Sequence, residues 1–348
     1  MTPDPVEELD GILGATRRAW AAACAAAEPV ESVRLVAGAP VRFRLAGPAL
    51  VDELLPSLCH LAEVRAEPVF TANAWDRRST GAAVPYLADL PGAAAPSRSI
   101  VGTERSVNSS AERRMLEAVD LPAGEGWFAI DSPDDLCQGE RAAPFRLVLH
   151  WWLAGRGLQM AHGGAVGVDG RGVLIVGRSG AGKSSTTLAC VEAGLQYAGD
   201  DYSAITLDPT PTVHSLYAMA KVFDGDIARY PSLAAGLTNR RHPTDDKSLF
   251  LVPRGRPEHV VRQLSLAALV VPERTSQRVT EFVPATRGDA LQALAPSTVG
   301  QFPGGAAQTL AALAAVTRSV PAYRLALGTD RATVPPAVRA LLDHVEHA

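Results

Sequence analysis

Little in this chain points away from the cytoplasm. Its four cysteines, Cys24, Cys59, Cys137 and Cys190, lie far apart and form no C-x-x-C pair. That spacing supports neither a zinc site nor a disulfide framework, and it reads as reduced, mostly buried thiols of a cytosolic protein. A signal peptide needs a basic start and then an apolar stretch, whereas the opening residues include Asp4, Glu7, Glu8 and Asp10. No uncharged apolar run approaches membrane-spanning length. A formal net charge of −4 offers no field to gather nucleic acid or an anionic membrane. What remains is ordinary for a soluble globular protein: 348 residues, 47% apolar and 20% charged, enough for two domains.

The most informative stretch is Val173-Leu-Ile-Val-Gly-Arg-Ser-Gly-Ala-Gly-Lys183-Ser184-Ser185. Four apolar residues read as a buried strand, G-x-x-x-x-G-K-S follows, and a helix-forming run comes next. This is the context a phosphate-binding loop requires. Backbone N–H groups of Gly177, Arg178, Ser179, Gly180, Ala181 and Gly182 can then turn inward on a triphosphate. Lys183 bridges the terminal phosphates, Ser184 ligates Mg2+, and Ser185 completes the loop. The helix beginning near Ser184 adds its positive end to the same anion.

Around this motif the pattern predicts an α/β chain. A helix is expected over 6–27, then a hairpin of Val33–Val36 and Val41–Leu45, and a helix over Leu50–Ala62. Pro and Gly break 71–110, where no element is assigned. A helix near Ala111–Val119 and a strand at Trp127–Ile130 complete a small N-terminal α+β domain, 1–142, of unread role. The second domain, 143–348, starts with a buried helix at Phe145–Leu153. Met160–Val168 and Val173–Val176 flank Asp169-Gly170, a strong hairpin signal. The strand feeding the loop is therefore the second arm of an antiparallel hairpin, unlike the parallel strand of Ras-like or Rossmann-like domains. A helix from Ser184 to about Ala193 and a strand Leu195–Gly199 then deliver Asp200 and Asp201 at a strand tip beside the loop. Asp200 follows Lys183 by only seventeen residues, room for one helix and one strand. Leu264–Val271 reads as a core strand. C-terminal helices are expected at Ala290–Ala295, capped by Thr286, around Leu310–Thr317 and at Val338–Val345, with a strand at Tyr323–Leu327. Pro296–Gly305 reads as a loop and Arg240-Arg241 as a charged turn.

His162 before the D-G hairpin, then G-R-S-G-A-G-K-S-S, a helix ending in Ala-Gly, and Gly199-Asp200-Asp201 resemble the catalytic domain of HPr kinase/phosphorylase. The likeness spans about residues 160–205. It extends to the HPr-kinase-like serine kinases of bacterial biosynthetic clusters and, more distantly, to phosphoenolpyruvate carboxykinase. It implies an HPr-kinase-like domain with a mixed sheet, a smaller N-terminal domain and C-terminal helices. It also implies ATP as donor (ADP in some relatives), Mg2+, and a homo-oligomer. HPr kinases have Glu where this chain has Ser185, and their later phosphorolysis signature is missing here. The resemblance thus implies a relative acting on a hydroxyl of some other peptide, carrier protein or metabolite.

Phosphoryl transfer to an alcohol needs a metal-held triphosphate, charge neutralisation and a base near the acceptor. Ser184 and Asp200 are assigned to Mg2+ and Asp201 to the acceptor hydroxyl, although neighbouring carboxylates can exchange these roles. His162 either contacts the acceptor, tunes the aspartates or is structural. Lys221 and Lys247 are further candidates for phosphate contact. The competing reading is a nucleotide-binding switch or assembly ATPase without a phosphoryl acceptor.

Overall fold

The computed structural model describes residues 5–89, 97–238, 245–303 and 305–347, so Arg240-Arg241 lies outside the described residues. The chain divides into two compact units.

The first runs to Arg156 and takes in Phe302. It comprises α1 (Pro5–Ala26), β1 (Val30–Val36), β2 (Ala39–Ala46), α2 (Pro48–Leu54), β3 (Phe70–Asp76), α3 (Arg77–Thr80), β4 (Ser97–Val101), β5 (Arg105–Ser110), β6 (Met115–Asp120), β7 (Glu125–Ile130), α4 (Gln138–Ala142) and α5 (Arg146–Gly155). Its sheet has the order β1-β2-β3-β7-β6-β5-β4, parallel only where β3 meets β2 and β7. Successive strand residues point to opposite faces, and each face has its own helix. Trp75 and Trp127 pack under α1. Phe43 and Phe128 meet Phe145 at the start of α5, and Phe70 stacks on Trp152 within it. That packing places α5 in the first unit, so the units part after Arg156 and not at the expected 142/143. The segment Ala111–Val119, expected as a helix, is instead the turn and second strand of the β5–β6 hairpin. Its turn needs a positive φ at Arg114, +54°, and every residue of β6 is buried. The Leu50–Ala62 helix stops at Leu54 and passes into a 3-10 turn carrying Pro56, because proline cannot donate to the preceding turn.

The second unit contains β8 (Gln159–Val168), β9 (Arg171–Val176), α6 (Lys183–Glu192), β10 (Gln196–Gly199), β11 (Tyr202–Thr206), β12 (Thr212–Ser215), β13 (Met219–Phe223), β14 (Leu237–Thr238), β15 (Lys247–Leu251), α7 (Val252–Gly255), β16 (Gln263–Arg274), β17 (Glu281–Ala285), α8 (Arg287–Val299), α9 (Ala306–Ser319), β18 (Ala322–Leu327) and α10 (Val334–His347). β8 and β9 form the expected antiparallel hairpin, and β9 also lies parallel to β16. The resulting eight-stranded sheet is mixed, and β13, β15 and β14 make a separate three-stranded one. Val173 and Ile175 join the core with Leu188 of α6 and Leu341 of α10. Leu174 and Val176 face the opposite layer, with Leu294 of α8 and Leu313 of α9. A strand buried on both faces explains the unbroken apolar run. Thr286 closes a capping box on α8, which continues through Pro296 to Val299 where a loop was expected. Among the described residues no helix is long and apolar enough to cross a membrane. The thiols are free, as expected, but only Cys190 is buried, whereas Cys59 is exposed.

Candidate functional site

The end of β9 and the acidic pair are joined by one row across the sheet. β10 and β11 run antiparallel to β8 as one interrupted strand, with Tyr197 opposite Val166 and Tyr202 opposite His162. Between them Asp201 accepts the Gly163 N–H on its backbone carbonyl at 2.9 Å. Gly163 in turn pairs with Val176, and Gly164 with Ile175, on the other side. The acidic pair therefore lies two strands from β9, with β8 between, and not on the adjacent strand. Two strand spacings amount to about 10 Å, and the intervening row carries only hydrogen as side chain. Gly164 also makes room for α6: a Cβ there would fall 2.0 Å from Thr187 Oγ1. Gly164→Ala is accordingly expected to destabilise the unit by about 1–3 kcal/mol through overpacking, read as a lowered denaturation midpoint with unchanged slope.

Residues 177–182 link β9 to α6, and Gly182 enters the helix at φ +108°, a conformation side chains avoid. Arg178, Ser179 and Gly180 are exposed, whereas Lys183 is buried. Its ammonium donates to the carbonyls of Gly177 at 2.8 Å and Arg178 at 3.3 Å. Burial lowers the Lys183 pKa, against the opposing pull of Asp201 and Asp200. Ser185 lies beside the buried Tyr230 hydroxyl, a neighbour for which the sequence held no signal.

The two aspartates differ sharply. Asp200 is fully buried; its Oδ2 accepts the Lys221 backbone N–H at 3.0 Å. Oδ1 is buried without a hydrogen-bond partner. Burial, and then the neighbouring Asp201 charge, push the Asp200 carboxyl well above the usual carboxylate range. The Ser184 side chain is near enough to pull against this shift, though not in a geometry that satisfies Oδ1. Burial also acts to raise Asp201, but the Lys221 ammonium and the facing His162 imidazole outweigh it and hold Asp201 ionised. Lys221 Nζ lies 2.5 Å from Asp201 Oδ2, and Asp201 in turn raises the lysine's pKa against desolvation. His162 Nε2 faces Asp201 Oδ1 at 3.6 Å, longer than a hydrogen bond. Its ring stacks on Tyr202 at 5.2 Å, and its backbone N–H donates to Thr298 Oγ1.

Lys183, Ser184, Asp200, Asp201 and His162 thus gather around one sheet end, with Lys221 as the clamp on both carboxylates. Lys247 sits over the Phe223 ring at 4.6 Å, and its charge adds to the lowering of the Lys183 pKa. Among the described residues no three of His, Cys, Asp or Glu converge as a metal cage. The unsatisfied Asp200 Oδ1 beside Ser184 fits a hard cation that takes its remaining ligands from phosphate and water.

No family model matches the chain, and no curated protein matches it. Among solved structures it is similar to the Hpr(Ser) kinase/phosphatase from Coxiella burnetii, at 14% identity and a TM-score of 0.30, covering 54% of this chain and 99% of that one. A likeness of that size is a distant structural relationship and assigns no residue a role.

Proposed function

We propose that this chain is a cytoplasmic, HPr-kinase-like phosphotransferase that moves the γ-phosphate of ATP to a hydroxyl acceptor with the help of Mg2+. The observation that carries the reading is Asp200: a buried carboxylate with one unpartnered oxygen, next to Ser184 and across a glycine row from the loop. A group in that setting is costly to the fold, and a divalent cation would satisfy it. Bound Mg2+ supplies neutralisation of the developing phosphate charge. Backbone N–H groups of residues 177–182 and the Lys183 ammonium would hold the phosphates. Lys183 would exchange its two carbonyl partners for phosphate oxygens as it does so.

Asp201 is held ionised by Lys221 and faces His162. A carboxylate of low pKa is a weak base. Its fitting role is to accept the hydrogen bond of the acceptor hydroxyl and aim that oxygen in line with the γ-phosphorus. The proton passes to Asp201 only as the new P–O bond forms and the bond from the γ-phosphorus to the bridging oxygen breaks, ADP leaving with that electron pair, which a loose transition state permits. His162 and Lys221 act on the reaction by fixing Asp201.

The test is a transfer screen with γ-labelled ATP and Mg2+ over peptides, carrier proteins and hydroxylated metabolites. The expected outcome is label on one acceptor class, with Asp201→Asn reducing transfer by about 100- to 10,000-fold. Free phosphate alone, released at a rate indifferent to every acceptor, would instead identify an ATPase.

A further inference from the structure

A cavity of about 540 Å³ opens beside α6, within the second unit. Gly182 and Ser185 form its border with the loop, Leu327 and Val334 give it apolar surface, and Phe223 presents a half-exposed ring. Two cations line it without compensation: among the described residues Arg274, at the end of β16, and Arg331, before α10, form no ion pair. Arg229, also on its wall, is neutralised by Asp226 at 2.6 Å.

The geometry points to this cavity as the seat of the nucleoside half of the donor nucleotide. This rests on the phosphate-binding reading of residues 177–185. If the triphosphate lies along the loop with its terminal phosphorus toward Asp200 and Asp201, its other end must leave past Gly182 and Ser185. That exit leads into the cavity, whose volume falls within the range of small-molecule pockets. A planar base suits the Phe223 ring and the guanidinium planes, which stack on π-systems. Asp226 supplies an acceptor for ribose hydroxyls or an exocyclic amine.

Calorimetric titration of the full chain with ATP and with inorganic tripolyphosphate, both with Mg2+, tests this. Arg274→Ala, Arg331→Ala and Phe223→Ala are compared with wild type at physiological salt, where exposed charges are screened beyond about 8 Å. Each variant is expected to bind ATP about ten-fold more weakly, the scale of one lost stacking or cation–π contact. Tripolyphosphate affinity should stay within two-fold. The change at Phe223 removes no charge but does release Lys247, which sits over that ring, and the tripolyphosphate arm separates a stacking loss from an effect of that lysine on the phosphates. Equal losses for both ligands, or no loss for ATP, would overturn the assignment while leaving the loop as the phosphate site. If wild type bound neither ligand, the phosphate-binding reading and the cavity assignment would fall together.

Discussion

Lys183→Ala is expected to lower kcat/KM for phosphoryl transfer by about 100- to 1,000-fold, the usual cost of removing one preorganised donor from a developing anion. The ammonium is buried and already depressed in pKa by desolvation, so it is poised to exchange the carbonyls of Gly177 and Arg178 for phosphate. The thermal midpoint should move little, because losing two carbonyl contacts is offset by relief of a buried charge. Lys183→Arg should not restore activity. A forked guanidinium does not fit where a point charge folds back into a tight loop. Steady-state kinetics beside thermal unfolding separate the outcomes, and wild-type turnover in Lys183→Ala would remove the loop from the mechanism.

Asp200→Asn is expected to move stability and activity in opposite directions. Its carboxyl has a folded-state pKa above the unfolded value, so it favours folding fully only below the ordinary carboxylate range. That contribution is lost as pH climbs from the ordinary range through the raised one. At neutral pH the wild type carries the penalty and the neutral amide does not. The variant should therefore be more stable by about 1–3 kcal/mol, the cost scale of an unsatisfied buried acceptor. The difference should vanish in acid. Mg2+-dependent transfer should fall by at least about 100-fold, and added Mg2+ and ATP should raise the midpoint of the wild type much more than that of the variant. Denaturant melts across pH with and without Mg2+ decide the matter. A variant less stable than wild type at neutral pH would refute this account of Asp200.

The turn after β9, its flanking hairpin and the Thr286 cap were legible because each is written in local chemistry. Asp169 and Gly170 take positive φ of +50° and +79°, as the dipeptide signals. The region 111–119 misled for an equally physical reason. Ala111-Glu-Arg-Arg-Met favours a helix in isolation, but burial on both faces of the first unit's sheet overrides that preference. Strands β3, β4 and β5 are hidden among the glycines and prolines of 71–110. In the site, residue types were visible but partnership was not. Lys221 looked like a phosphate contact, and only pairing far along the chain shows it holding Asp201 with its side chain and Asp200 with its backbone. Nothing in Gly163-Gly164 announced that the acidic pair would lie opposite.

Lys221 belongs to β13 in the three-stranded sheet, whereas the aspartates it grips interrupt a strand of the eight-stranded one. The ion pair is thus also a joint between two sheets. On the proposed reading, an opening that lifted the smaller sheet from the larger would leave both carboxylates in place but take away the cation that holds Asp201 ionised, so the unit would be silent toward a hydroxyl until the joint closed again.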